Sequence, residues 1–223
     1  MFQQMLNGSI AVLTRPSVAT FEEHERNDLG WGLIYAAIGA VISAVLGAIG
    51  AAVAPPPPPP DPATMEQLES TPFEGLATGA AAQPSILGAI IGALTIGLLG
   101  FLIYLAIVYF IGRAFGGSGQ FGELAYDISL FYTPLALLNG LISLIVSAVP
   151  VLACLTWVIS LAAFGYNLYL TYLGIQAGMN VPKDKALITM VIVAVIGLVV
   201  ACVLGAILVA MIAAVAGAAN TAP

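Results

Sequence analysis

The chain has 223 residues, 61% of them hydrophobic and only 7% charged, with a mean hydropathy of +1.06. A soluble domain carries about 25% charged residues, so there is too little polar surface here to coat a water-soluble globule, and lipid must be part of the solvent. The net charge of −6 excludes the basic face that nucleic acid requires.

Residues 1–29 read as a cytoplasmic N-terminal segment. Residues 1–14 hold no basic residue and no long apolar core, so they are not expected to be a secretory signal. Met1, Phe2, Met5, Leu6 and Leu13 recur at helical spacing with Gln3, Gln4 and Asn7 opposite, which predicts a short helix in the membrane interface. Gly8 and Ser9 interrupt it, leaving a disordered start as the alternative. Thr20-Phe21-Glu22-Glu23 fits a capping box. A helix is expected to start near Phe21 and could run through Asp28 into the first apolar run.

Residues 30–215 read as a membrane domain. Residues 30–54 contain no charge, and a bilayer core needs about 20 apolar helical residues, so this is the first span. Ala36, Ala40, Ala44, Ala48 and Ala52 form a small-residue stripe that allows close helix approach. Six prolines at 55–60 stop the helix and favour polyproline II. Residues 55–84 carry four acids and no Lys or Arg, an outer loop and a possible docking arm. Spans follow at about 85–112, 124–149, 151–178 and 186–215, then an outer tail at 216–223. The expected fold class is an all-α integral membrane protein of five transmembrane helices.

The basic residues set the orientation. Arg15, Arg26, Arg113, Lys183 and Lys185 all fall on one side of a five-span chain. By the positive-inside rule the N-terminus is cytoplasmic and the C-terminus outside.

Arg113 to Pro134 is the inner hinge. Gly117-Ser118-Gly119-Gln120-Phe121-Gly122 matches GxGxxG, but a dinucleotide site needs a strand before it, and here an apolar helix precedes. The glycines are read as supplying positive φ for a reversal. The N-terminus of the next helix could bind an anionic headgroup, although Glu123 opposes an anion there. Asp127 is either part of an ion path or an interfacial acid facing Arg113 or water. Pro134 should kink the third span, with Ser129 and Thr133 available for the freed backbone groups. Asn139 and Asn167 fall at similar depths on neighbouring helices, so a hydrogen bond between them is plausible. Thr156, Ser160, Asn167 and Thr171 share one face. With Tyr132, Tyr166, Tyr169 and Tyr172, these residues form either a polar path or glue between helices.

His24 lies outside the spans, which removes axial histidine ligation of a cofactor within the membrane. Cys154 and Cys202 lie in separate apolar runs without metal or redox spacing. No catalytic, metal or cofactor-binding residue is assigned, and no enzymatic activity is expected.

The order of these features resembles the Yip family of Ypt-interacting proteins, in particular its bacterial branch. The resemblance rests on RPSVATFEEHE before the first span, IGRAFGGSGQFGELAYDISLFYTP between the second and third, the TWVISLAAFGYNLYLTYLGIQ span and the VPKDKAL loop. It covers most of residues 15–210 apart from the Pro-rich loop. It implies five spans, a cytoplasmic N-terminus and no catalysis. Pro16, Gly116, Gly117, Phe121 and Pro134 match its pattern as structural signatures, with Arg113 beside them in the hinge. The eukaryotic relatives look like adaptors for small GTPases, but their DLYGP-type motif is absent here, so that activity does not carry over. The expected function is a membrane scaffold or adaptor, or an accessory subunit of a larger complex, with a small-solute or ion permease as the alternative. Expected partners are the lipid bilayer and a membrane protein or a second copy. The bacterial inner membrane is the expected location.

Overall fold

A computed structural model describes residues 1–54, 88, 91, 92, 95 and 97–219. Among these residues the secondary structure is helical, without strands. The helices are α1 (Phe2–Thr14), α2 (Val18–His24), α3 (Leu29–Val53), α4 (Leu98–Ala114), α5 (Phe121–Ala148), α6 (Ala153–Met179) and α7 (Lys183–Ala219). A 3-10 turn at Pro150–Leu152 joins α5 to α6. The Pro-rich stretch 55–84, most of the stretch before α4 and the last four residues lie outside the described residues.

Among the described residues three helices are long and apolar enough to cross a membrane: Leu29–Val53, Phe121–Ala148 and Thr156–Met179. Helix α4 is apolar and shorter. The chain forms two units, one of residues 1–54 with 85–193 and one of residues 55–84 with 194–223. All of the architecture below lies in the first. Of the second, α7 beyond Val193 is helical, and Cys202 is a free, exposed thiol.

The main packing is between α3 and α5, which run parallel. Gly32 meets Ala125 and Tyr126, Gly39 meets Thr133, Gly140 meets Ser43, and Gly50 meets Leu144 and Ser147. The α3 contacts at 32, 39, 43 and 50 lie seven, four and seven residues apart, close to whole turns of the helix, so they share one face. At the tightest point a Cβ on Gly39 would sit 2.9 Å from the Thr133 Cα. The four-residue alanine stripe is therefore not the packing face. It advances 40° per step on a 100°-per-residue helix, so Ala36 is buried while Ala52 is exposed.

The N-terminal segment is packed into the bundle. Helix α1 buries Met5, Gly8, Ser9 and Val12, with Gly8 against Leu130 and His24. Ser9 Oγ lies 2.9 Å from the Tyr35 hydroxyl, and Tyr166 donates to the Leu13 carbonyl at 2.6 Å. The residues that interrupt the apolar pattern are thus the ones that let α1 come close. Its other apolar flank, Phe2, Leu6 and Ile10, is exposed. Helix α2 buries Phe21 completely, edge-on to Phe131 at 6.2 Å.

Two predicted boundaries move. Helix α2 starts at Val18, because Ser17 and not Thr20 is its cap and accepts from the Thr20 amide at 3.1 Å. It does not continue into α3. The chain breaks after His24, and Asp28 restarts it by accepting from the Trp31 amide at 3.0 Å.

These additions divide α5 and α6 into two sections. From Gly122 to Phe131 α5 is buried without a break from Leu124 onward, and α6 is almost wholly buried from Leu170 to Met179. Beyond that collar both helices open. Leu138, Leu141 and Ile145 on α5 and Trp157, Leu161 and Phe164 on α6 are exposed.

Candidate functional site

The glycine-rich hinge follows α4 and docks on the end of α6. Gly116 has a φ of +88° and makes the reversal. It alone among the hinge glycines is left-handed, so the expectation that all supply positive φ is corrected. Gly119 is needed for close approach, since a Cβ there would collide with the Gly178 carbonyl. The Ser118 and Gly119 amides both donate to the Met179 carbonyl, at 3.0 and 3.3 Å. That carbonyl belongs to the last turn of α6, whose oxygens have no partner within the helix. The GxGxxG match thus caps a helix C-terminus.

Arg113 holds the other side of the hinge. It donates to the Gly117 carbonyl at 3.2 Å and lies 5.8 Å from the Tyr109 ring centre. Phe121 packs edge-on against the same tyrosine at 5.4 Å. The Glu123 carboxylate accepts from the Gln120 amide at 2.7 Å. The chain's own acid thus stands over the start of α5, where an anionic headgroup would have to sit.

Asp127 does not face Arg113 or water. It is completely buried, and neither carboxylate oxygen has a hydrogen-bond partner. One oxygen lies against Gly178 on α6. Glu25, Glu123 and Glu22 all act on it, and none is of opposite sign. Glu25 caps α2 at the break before α3, and its Oε1 is also buried and unpartnered. Burial first, then the Glu123 and Glu22 charges, pushes the Glu25 carboxyl up to about 7. Among the described residues no group of three His, Cys, Asp or Glu side chains could hold a metal ion.

Pro134 lies inside α5, which stays helical through it. The neighbouring hydroxyls do not serve the freed backbone groups. Ser129 donates back to the Tyr126 carbonyl at 2.7 Å, and Thr133 reaches across to the Tyr35 carbonyl on α3 at 2.9 Å.

The polar residues of the open section gather elsewhere. Leu135, Asn139, Ser160, Ala163, Phe164 and Asn167 line a groove of about 390 Å³ between α5 and α6. Asn139 is exposed and Asn167 half-buried. The hydrogen bond expected between them is not made; both amides line the groove instead. Thr171 leaves the shared polar face. It is buried and receives the Tyr104 hydroxyl at 3.3 Å. Tyr132 stacks on Phe101 at 4.7 Å, Tyr172 packs against the core and Tyr169 is exposed.

Asp127 and the groove are not one path. Along α5, Phe131 stands between them, and along α6, Leu170 and Leu173 do; all three are buried. The sequence pointed to Asp127, Asn139 and Asn167. It did not point to Glu25, whose signal is its place as the last acid before a helix break.

The chain matches the family model described as the Yip1 domain over residues 10–204. No curated protein matches it, and no solved structure does.

Proposed function

The chain belongs to the Yip1-domain family, and from that membership we propose that it is a non-enzymatic membrane adaptor whose α5–α6 groove receives a membrane helix of a partner protein. The groove carries the reading. It is open to the side, in the section where large apolar side chains are exposed, and it presents the amides of Asn139 and Asn167. Amides facing hydrocarbon are costly unless paired. A partner helix with polar or small residues would pair them and fill the volume, a contact typically worth under about 2 kcal/mol per hydrogen bond.

The same proposal places five crossings in a bacterial inner membrane. The five basic residues, Arg15, Arg26, Arg113, Lys183 and Lys185, support a cytoplasmic N-terminus and hinge and an outer C-terminus by the positive-inside rule. Helix α1 then lies at the inner interface, its exposed Phe2, Leu6 and Ile10 towards lipid.

The experiment is co-purification in mild detergent. Asn139→Leu with Asn167→Leu is expected to keep the monomer folded, since neither side chain is hydrogen-bonded among the described residues, and to lower partner recovery about tenfold, the loss of two hydrogen bonds of about 0.6–1 kcal/mol each. Undiminished recovery from the folded double variant would remove the reading.

A further inference from the structure

The adaptor groove leaves one feature of the collar unused: two carboxyl groups, Asp127 fully buried and Glu25 half-buried, where α2, α3, α5 and α6 meet. Asp127 is completely buried with both oxygens unpartnered, and Glu25 contributes a third buried oxygen without a partner. Glu25 sits at the break between α2 and α3, the point about which the N-terminal segment would move. The contacts that hold that segment come from both α1 and α2. Phe21 is set against Phe131, Gly8 against Leu130, Ser9 against Tyr35 and the Leu13 carbonyl against Tyr166.

We propose that the break at Glu25 is a proton-operated latch: a proton on the Glu25 carboxyl, beside the buried Asp127, keeps α1 and α2 docked on the bundle, and its loss releases them.

The charged groups around Glu25 favour this. Glu22 on α2 and Glu123 and Asp127 on α5 are all acidic. Asp28 is committed to the start of α3. Arg26 is the adjacent cation, and its guanidinium points to the Met1 sulfur at 3.6 Å. His24 is turned back on its own helix, its Nδ1 3.0 Å from the Thr20 carbonyl. Helix α1 and the last ten residues of α6 bring no charged side chain. The Gln120 amide near this corner is bonded to Glu123, and Gln120 Oε1 accepts from Asn27 at 2.7 Å, so neither serves Glu25.

The sign follows from the Glu25 carboxyl standing at about 7 when docked against an ordinary 4.5. The docked form binds a proton that the released form gives up. Docking is therefore strongest below pH 4.5, weakens as pH rises towards 7, and changes little above that.

The test is hydrogen–deuterium exchange of residues 2–24 in the full chain in lipid nanodiscs, at pH of about 5.5 and 8, corrected for intrinsic exchange. The expected result is a loss of protection of about tenfold at the higher pH, reduced from the full linkage value because Glu25 is partly exposed. Glu25→Gln is expected to keep α1 and α2 protected at both values, and His24→Asn to lose protection as the unmodified chain does. Equal protection of the unmodified chain at both values overturns the proposal. So does a Glu25→Gln chain that retains the full loss, or a His24→Asn chain that abolishes it. Should Glu25→Gln fail to fold, the unmodified chain and His24→Asn still decide.

Discussion

Gly119→Ala is expected to be among the most damaging single-methyl changes in the described bundle. The added carbon would collide with the Gly178 carbonyl, which is backbone and cannot rotate away. Relief requires the hinge to lift from α6, and the Ser118 and Gly119 amides then lose the Met179 carbonyl. Overpacking costs about 1–3 kcal/mol, and two lost hydrogen bonds add about 1 kcal/mol each. A total of about 3 kcal/mol or more should appear as a large fall in melting temperature of the detergent-solubilised chain. Gly116→Ala should cost less, because a Cβ there would make only an ordinary contact, 3.6 Å from the Lys185 Nζ, and its φ of +88° penalises a side chain by about 1–2 kcal/mol. If Gly119→Ala melts with the unmodified chain, the hinge does not dock as described.

Gly39→Val is expected to have a comparable effect by a different route. Both α3 and α5 are candidate spans, and in lipid their association depends on close packing more than on hydrophobic burial. A side chain at Gly39 would meet the Thr133 Cα and Cγ2, both at 2.9 Å from its Cβ position, and would push apart the hydroxyl–carbonyl bond from Thr133 to Tyr35. The seam would open at its centre, and the Gly140–Ser43 contact would loosen with it. A loss of about 2–4 kcal/mol should show as lower resistance to denaturing detergent. Ala52→Val, on an exposed position of the same helix, is the matched control and should change little.

The contrast between those two positions shows where the sequence was informative. Apolar run length located α3, α5 and α6, the helices long and apolar enough to cross a membrane among the described residues, since about twenty uncharged residues leave few other arrangements in lipid. Hinge glycines marked the reversal between α4 and α5, and Val149-Pro150-Val151 marked the turn into α6. Rotation about each helix axis was not legible. The alanines repeat every fourth residue while the α3 contacts step by seven, four and seven, and only the partner helix decides between such stripes. The same ignorance placed Asn139 and Asn167 at matching depths and left open whether their side chains met.

The collar was hidden for another reason. Spacing in α1 shows that one side is apolar, but not that half of that side faces protein and half faces lipid. Its clue was the small pair Gly8-Ser9 between Met5 and Val12, which completes a helical face that can approach closely. In α2 the clue was Phe21, one large aromatic in an acidic, polar stretch. Asp127 was visible as an acid at the edge of a span, yet sequence adjacency to Arg113 suggested a pairing that the fold denies. The arginine is drawn to the Gly117 carbonyl and the Tyr109 ring, while the α5 helix turns Asp127 inward against Gly178.

The central claim is that the groove between α5 and α6 holds a membrane helix of another protein. The most direct measurement places a photo-crosslinking phenylalanine analogue at Phe164, on the groove wall, in cells carrying the full chain. The account predicts a covalent adduct with an integral membrane protein of a different mass, lost when Asn139 and Asn167 are both leucine. Adducts to lipid alone, to residues 194–223 of the same chain, or to a second copy only would contradict it.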